Sequence, residues 1–452
     1  MKSIIKSFSV YGLFGTDDVH IPFDENVKIL IGENGIGKTQ ILNLFYYTLT
    51  GNFLKLGEFH FIKLVLKFKN SRAIEIKKTT IDNFIEKIYH HPLIKDVIND
   101  IGYSQFQFLR NLYIQSKGDT RRLESQLENN FRLRKFSART VFRVFNELDL
   151  NEENEKNPEL SKCKREIFAS LNDCDIMYFP TYRRVEEDLH ILGYNDDENL
   201  NQESTLIQFG MNDVQTRFNK IENTIDKYLK EGFSNITSEI LSQLVVGFPE
   251  IDNSFLNRIN ENDIEIILAR VGKQLSDSDK NKIREMVIKK EFKNPSLTYF
   301  LQKLVEIYEK QKQLDNSVKL FRDVCNKYLV NKKVFYDESN IKINIKSDRN
   351  GGVIDLSKLS SGEKQIISMF AKIYLSDKDK RFMVLFDEPE LSLSMPWQKL
   401  LLPDILNSKK CDFLLAVTHS PFIFDNELDV YAVGLNEYFN ESSKVVLSNV
   451  LS

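Results

Sequence analysis

The stretch "ILIGENGIGKTQILNLFYYTL", Ile29 to Leu49, begins as a buried apolar run, breaks into glycines and resumes with the spacing of a helix. Gly32, Gly35 and Gly37 interrupt the run, and Lys38 and Thr39 stand where the helix begins. The segment satisfies G-x-x-x-x-G-K-[ST] with a strand before it and an amphipathic helix after it, the context that gives this pattern its meaning. The glycines let backbone N–H groups turn toward an anion. Lys38 reaches the β and γ phosphates, and the Thr39 hydroxyl is placed to ligate Mg²⁺. A glycine turn with a solvated lysine is the bland alternative, and the flanking strand and helix weigh against it.

A second apolar strand, Met383 to Phe386, runs straight into Asp387-Glu388-Pro389-Glu390. Carboxylates at the carboxyl end of a buried strand lie where α/β folds keep their ligands. Asp387 is read as holding Mg²⁺ through water and Glu388 as activating the attacking water. By itself such a sequence is more often a turn; beside a phosphate loop it is the complementary half of a site.

Leu359-Ser360-Ser361-Gly362-Glu363-Lys364-Gln365 precedes the helical run "EKQIISMFAKIYL". Serine and glycine at a helix amino terminus offer free N–H groups and the positive end of the dipole. The same residues also make an ordinary serine N-cap with Glu363 in the first turn. The position just upstream of the carboxylate strand gives the stretch its second reading.

Around these motifs the texture divides. Ile4 to Val10 alternates like a short edge strand with "DDVHIPF" as its return, Val27 to Ile31 reads as a strand covered on both faces, and "FIKLVLKFKNSRAIEIKK" forms a hairpin turning at Asn70 and Ser71. From about Thr80 to Asn331 helical spacing dominates, with strand texture only at "DIMYFPTY". After Pro295, with Ser296 as the expected cap, apolar residues from Leu297 to Tyr328 mark a helix; lacking sustained heptads, it reads as part of a packed domain rather than a coiled-coil arm. "KKVFYDESNIKINIK", "RFMVLFDEPE" and "CDFLLAVTHS" return to strands. The expected fold is α/β, one head domain assembled from residues 1–80 and 332–452 and interrupted by a mainly helical insert at 81–331.

Composition excludes little. The 452 residues are 42% hydrophobic and 28% charged, with a formal net charge of -3, so any nucleic-acid surface has to be a local patch. Cys163, Cys174, Cys325 and Cys411 show no metal-ligand spacing and read as free thiols. No secretory leader and no bilayer-length apolar run is visible, which points to a cytoplasmic protein without a membrane partner.

Taken together, "GENGIGKT", "LSSGEKQ", "VLFDEPE" followed by "LSLS", and "VTHSP" resemble the ABC-type ATPase heads of the SMC, RecF and OLD class. The resemblance implies an ATPase using ATP and Mg²⁺. It implies nucleotide contacts from Gly32, Asn34, Gly35, Gly37, Lys38, Thr39 and Gln40, metal contacts from Thr39 and Asp387, and catalytic roles for Lys38, Glu388 and His419. It also implies that Ser361, Gly362 and Glu363 complete the site of a neighbouring copy in trans, making a homo-oligomer of at least two copies. His419 matches the switch histidine, Ser394 stands where relatives often carry histidine, and Gln115 is the candidate for the Q-loop glutamine.

The layout, with no nuclease module after His419 and with Arg183 and Arg184 in "YFPTYRRVE", resembles ATPase subunits of anti-phage systems such as PARIS and Septu. That implies a separate toxin or nuclease effector and a phage-encoded trigger. A RecF- or SMC-like role on DNA is the alternative, and a membrane-transporter subunit fits poorly because the insert is too large. "FRLRKFSARTVFR" places Arg132, Arg134, Lys135, Arg139 and Arg143 among phenylalanines with no acidic residue. It fits a solvated helix face with its aromatics in a core, or a grip on nucleic-acid phosphates.

Overall fold

The computed structural model describes residues 4–33, 35–89, 92–101, 158–171, 174–180, 211–249, 261–271, 276–292, 294–377 and 379–441. Asn34, Gln115, the basic run Arg132 to Arg143, Arg183 and Arg184 lie outside them. In chain order the strands are β1 (Ile5–Leu13), β2 (Asp17–Pro22), β3 (Val27–Ile31), β4 (Lys63–Phe68), β5 (Ile74–Lys77), β6 (Asp175–Phe179), β7 (Lys332–Asp337), β8 (Lys342–Ser347), β9 (Val353–Ile354), β10 (Phe382–Asp387), β11 (Cys411–Thr418), β12 (Ala432–Gly434) and β13 (Phe439–Glu441). The chain divides into two compact units, residues 1–208 with 378–452, and residues 209–377.

The first unit carries a parallel sheet in the order β12-β3-β11-β10-β6 and an antiparallel sheet in the order β13-β2-β1-β4-β5. All six residues of β10 are buried, as are four of the five in β3. Strands with both faces covered favour apolar side chains on both faces, which is why these segments do not alternate. The helix Lys38–Leu49 lies between the two sheets. Its Phe45 ring packs against Phe8 of β1 at 5.0 Å and Phe413 of β11 at 6.1 Å. Burying one such ring contributes roughly 1.5–3 kcal/mol, so Phe45 is a principal joint between the layers.

Two details fasten distant segments to this core. Tyr178 of β6 donates its hydroxyl to Asn43 Oδ1 at 2.8 Å and stacks on Tyr46 at 4.7 Å, so residues 175–179 complete the parallel sheet from within the stretch expected as insert. Lys28 of β3 donates to the Tyr438 hydroxyl at 3.0 Å, close to where β12 and β13 extend both sheets.

β1 departs from expectation. It is flanked by β2 and β4 and is not an edge strand. Its polar Ser9 is nonetheless buried, because the hydroxyl is bonded to His20 Nδ1 at 2.7 Å. A satisfied hydroxyl imitates, in the sequence pattern, a solvent-facing one.

In the second unit, the helices Met211–Val246, Glu261–Val271, Asp277–Lys289 and Pro295–Cys325 share a core that includes Ile236, Ile264, Ile267, Val287, Leu301, Leu304 and Tyr308. The last of these helices is capped by Asn294, whose side chain accepts from Leu297 N–H at 3.1 Å, and not by Ser296 as expected. Pro295 explains the shift: proline suits the first helical position, where no N–H is needed, so the cap falls on Asn294, two residues before Ser296. At the other end Asn326 pairs with β7 through Val334 N–H and C=O, at 2.8 and 3.1 Å.

Arg270 is buried in this unit, with its guanidinium on Asp315 at 2.7 Å, Gln311 at 2.7 Å and the Glu338 carbonyl at 2.8 Å. Among the described residues no helix is long and apolar enough to cross a membrane.

Candidate functional site

Strand register builds the site. In the parallel sheet Ile31 of β3 lies opposite Thr418 of β11, and Asp387 of β10 lies opposite Val417. The three strands therefore end level. Gly32, Glu388 and His419 are each the first residue beyond a strand end, along one edge of one sheet. This is the edge where parallel α/β sheets place ligands, at the carboxyl ends of adjacent strands.

The loop after β3 turns through Gly35 at φ 90° and Gly37 at φ 95°, a left-handed conformation that only glycine adopts without strain. Gly37 is the N-cap of the helix Lys38–Leu49. That helix has no side-chain cap and no acidic residue in its first turn. Its leading N–H groups, those of Lys38, Thr39 and Gln40 among them, are thus not covered by a capping side chain, and the positive end of the dipole is not neutralised. Lys38 is only 4% exposed, and its ammonium donates to the carbonyls of Gly32 at 2.7 Å and Glu33 at 3.0 Å. The lysine is held by its own loop. The Gln40 side chain is exposed.

Across the loop Thr39 donates its hydroxyl to Asp387 Oδ1 at 2.9 Å, and Asp387 is 1% exposed. Mg²⁺ is commonly held by one or two protein oxygens together with substrate phosphates, and this hydroxyl–carboxylate pair supplies oxygens of that kind. Glu388 follows at φ 50°, a conformation costly for a side chain of its size, while its N–H remains bonded to Val417 C=O at 2.9 Å. The left-handed residue turns the chain sharply out of the strand. Ser392, at φ 67°, continues the turn. Ser394 is exposed and starts the helix Met395–Asn407 without a side-chain hydrogen bond.

His419 is half-exposed, with Nδ1 at 3.0 Å from Glu390 Oε1 and 3.9 Å from Glu388 Oε1. Glu390 had no assigned role in the sequence. It is buried, and its Oε1 also accepts from the backbone N–H groups of His419 at 3.0 Å and Ser420 at 3.2 Å. Phe14 was missed as well. It sits in the β1–β2 turn at φ 56°, and a Cβ placed on Gly37 would lie 3.0 Å from its ring. Its only sequence signal is the neighbouring Gly15, which marks a turn but names no partner.

Ser361, Gly362 and Glu363 belong to the other compact unit. Ser360 is the N-cap there, and with Glu363 it forms a reciprocal capping box; Ser361 is the first helical residue and is exposed, while Gly362 is buried. Burial acts to raise the Glu363 carboxyl. Hydrogen bonds from Lys332 and Ser360 outweigh it and hold the group below its ordinary range. Its carboxylate is therefore already engaged in capping and in pairing with Lys332.

The family described as AAA ATPase domain (AAA_15) matches residues 4–424. No curated protein matches. Among solved structures, one similar chain is the Smc head domain with an extended coiled coil bound to the C-terminal domain of ScpA from Pyrococcus furiosus, at 10% identity and a TM-score of 0.38, covering 97% of this chain and 95% of that one. Another is the SmcHead bound to the C-winged helix domain of ScpA, at 10% identity and a TM-score of 0.36, covering 93% of this chain and 90% of that one.

Proposed function

The chain belongs to the AAA ATPase domain family, and on that footing we propose that it binds ATP on the Gly32–Thr39 loop and hydrolyses it at the shared edge of β3, β11 and β10. The observation that carries this reading is the 2.9 Å contact of Thr39 with Asp387, flanked by Glu388 and by His419 at 3.9 Å from it. Lys38 exchanges its two loop carbonyls for phosphate oxygens. Thr39 and Asp387 hold Mg²⁺, which when bound neutralises phosphate charge. Glu388 accepts a proton from the attacking water. Positioning and electrostatics supply most of the acceleration in such reactions.

In purified protein, Lys38→Ala should lose nucleotide binding, and Glu388→Gln should bind ATP without releasing phosphate. Unchanged turnover in both variants refutes the reading.

Ser361 and Gly362 complete the site of a second copy. The reading is supported by the exposure of Ser361 in the first turn of its helix, beside a cap provided by Ser360. With Glu388→Gln, ATP should convert the protein to a dimer or larger assembly in light scattering. Ser361→Arg should prevent that while leaving nucleotide binding intact.

The finer reading, control of a separate toxin or nuclease in anti-phage defence, rests on the resemblance of the "YFPTYRRVE" segment. Copurification with the product of the adjacent gene tests it. Salt-sensitive DNA binding that is lost on neutralising Arg132, Arg134 and Lys135 together would favour the SMC- or RecF-like alternative instead.

A further inference from the structure

We propose that Glu390 is the positioning residue of His419, holding the imidazole in its Nδ1–H form so that Nε2 is the nitrogen presented to the reaction. The inference rests on the ATPase reading for the identity of that reaction, and on the contacts around Glu390 Oε1 for the rest.

Glu390 Oε1 accepts from two backbone groups, His419 N–H at 3.0 Å and Ser420 N–H at 3.2 Å, and lies 3.0 Å from His419 Nδ1 in an ion-pair contact. Its side chain is 4% exposed, against 45% for His419, so a fixed group grips a freer one. Two N–H donors and an imidazole nitrogen gathered around one oxygen suit an anion better than a neutral amide, which carries no charge. Oε2 is buried and has no hydrogen-bond partner among the described residues. An uncompensated buried oxygen of that kind costs stability, which argues against a purely structural choice of glutamate here.

Because a carboxylate can only accept, the nitrogen facing it has to carry the proton, and the other ring nitrogen is left as the lone-pair bearer in the neutral ring. Glu388 does not do this work. At 3.9 Å from Nδ1 it is beyond hydrogen-bond range and keeps its carboxylate for other duties.

The grip is braced from behind. Ser420 donates its hydroxyl to Gln398 Oε1 at 2.7 Å, and Gln398 Nε2 donates to Leu393 C=O at 2.9 Å. The turn that carries Glu388 and Glu390 is thereby tied at both ends to the turn that carries His419. A loop that only needed its backbone closed has Ser420 and Thr418 for that, since Ser420 N–H also reaches Thr418 Oγ1 at 3.0 Å. Glu390 adds the contact to the ring.

The test uses full-length protein labelled with ¹⁵N-histidine. His419 is assigned by the signal lost in His419→Gln, and its tautomer is read from two-bond ¹H–¹⁵N correlations at mildly alkaline pH. Wild type should show the Nδ1–H pattern, and Glu390→Ala should show the Nε2–H form that free imidazoles favour. Glu390→Ala should also lower kcat on the order of 10²-fold with little change in KM, and Glu390→Asp should recover part of that loss. Should Glu390→Ala fail to fold, Glu390→Gln, close in size, should show the Nδ1–H population reduced.

An Nε2–H ring in wild type, or a tautomer and kcat indifferent to Glu390, overturns the proposal. Wild-type protein inert toward ATP would refute the ATPase reading instead, and the tautomer comparison would then decide the hold of Glu390 on the ring.

Discussion

Thr39 and Asp387, 348 positions apart in the chain, meet through a single 2.9 Å hydrogen bond from Oγ1 to Oδ1. The bond joins the phosphate loop to the carboxylate strand. Asp387→Asn should therefore abolish the Mg²⁺ dependence of nucleotide-induced thermal stabilisation and reduce phosphate release by about 10²-fold or more. Thr39→Ala should act in the same direction but less severely, with a stability loss of about 1 kcal/mol for the missing bond. Full activity of Asp387→Asn at ordinary Mg²⁺ concentrations would contradict the assignment.

Gly37 combines φ 95° with a Phe14 ring 3.0 Å from where a Cβ would stand. Gly37→Ala should lose about 1–2 kcal/mol from backbone strain alone, and more from the aromatic contact. The double variant Gly37→Ala/Phe14→Ala should regain only the contact part. Urea titration of the wild type and the two variants separates the two contributions, and the nucleotide-dependent shift in melting temperature should be absent wherever Gly37 is replaced.

Arg270 and Asp315 form an ion pair with side chains 1% and 0% exposed. Removing one partner leaves a buried charge unpaired, so Arg270→Met should destabilise the protein by about 3–5 kcal/mol. Arg270→Met/Asp315→Leu should cost much less than the sum of the single changes, because the pair's own desolvation disappears with it. Additive single and double losses in chemical denaturation would show that the pair is not coupled.

Lys372 is 8% exposed, and burial pushes its ammonium down to about 8, opposed by Asp213 and reinforced by Arg217, against an ordinary value of 10.5. Between pH 8 and 10.5 the unfolded chain binds a proton that the folded chain has lost, so this group makes stability rise with pH across that window. Below it the full penalty of a buried charge applies. Lys372→Met should raise stability at neutral pH by up to about 3 kcal/mol, and the gain should vanish above pH 10.5. A gain that is independent of pH would refute the electrostatic cause.

Much of the site was legible in the sequence because its parts are local. A glycine loop after a strand, or carboxylates after a strand, announce themselves by spacing, and β3, β10 and β11 read correctly from their largely apolar runs. What the sequence could not show depends on registers and turns. Phe14 meets Gly37 only because β1 and β2 close through a left-handed turn. Glu390 reaches His419 only because Glu388 reverses the chain and β10 lies level with β11. "DIMYF" was visible as a strand, but five consecutive residues with no alternation carry no sign of which neighbour they pair with. The alternation of β1 suggested an edge strand because the Ser9 hydroxyl, bonded to His20, looks in a one-dimensional pattern like one bonded to water.

The strand feeding the phosphate loop, residues 27–31, has as its two neighbours residues 411–418 and residues 432–434. A ribosome delivers the first of these segments several hundred residues ahead of the others. Throughout that interval an apolar strand is left with both edges bare, the condition that invites pairing with the wrong chain. Nascent protein arrested before residue 411 should therefore depend on chaperones, and the nucleotide loop takes its final seat late in synthesis, once its flanking strands have emerged.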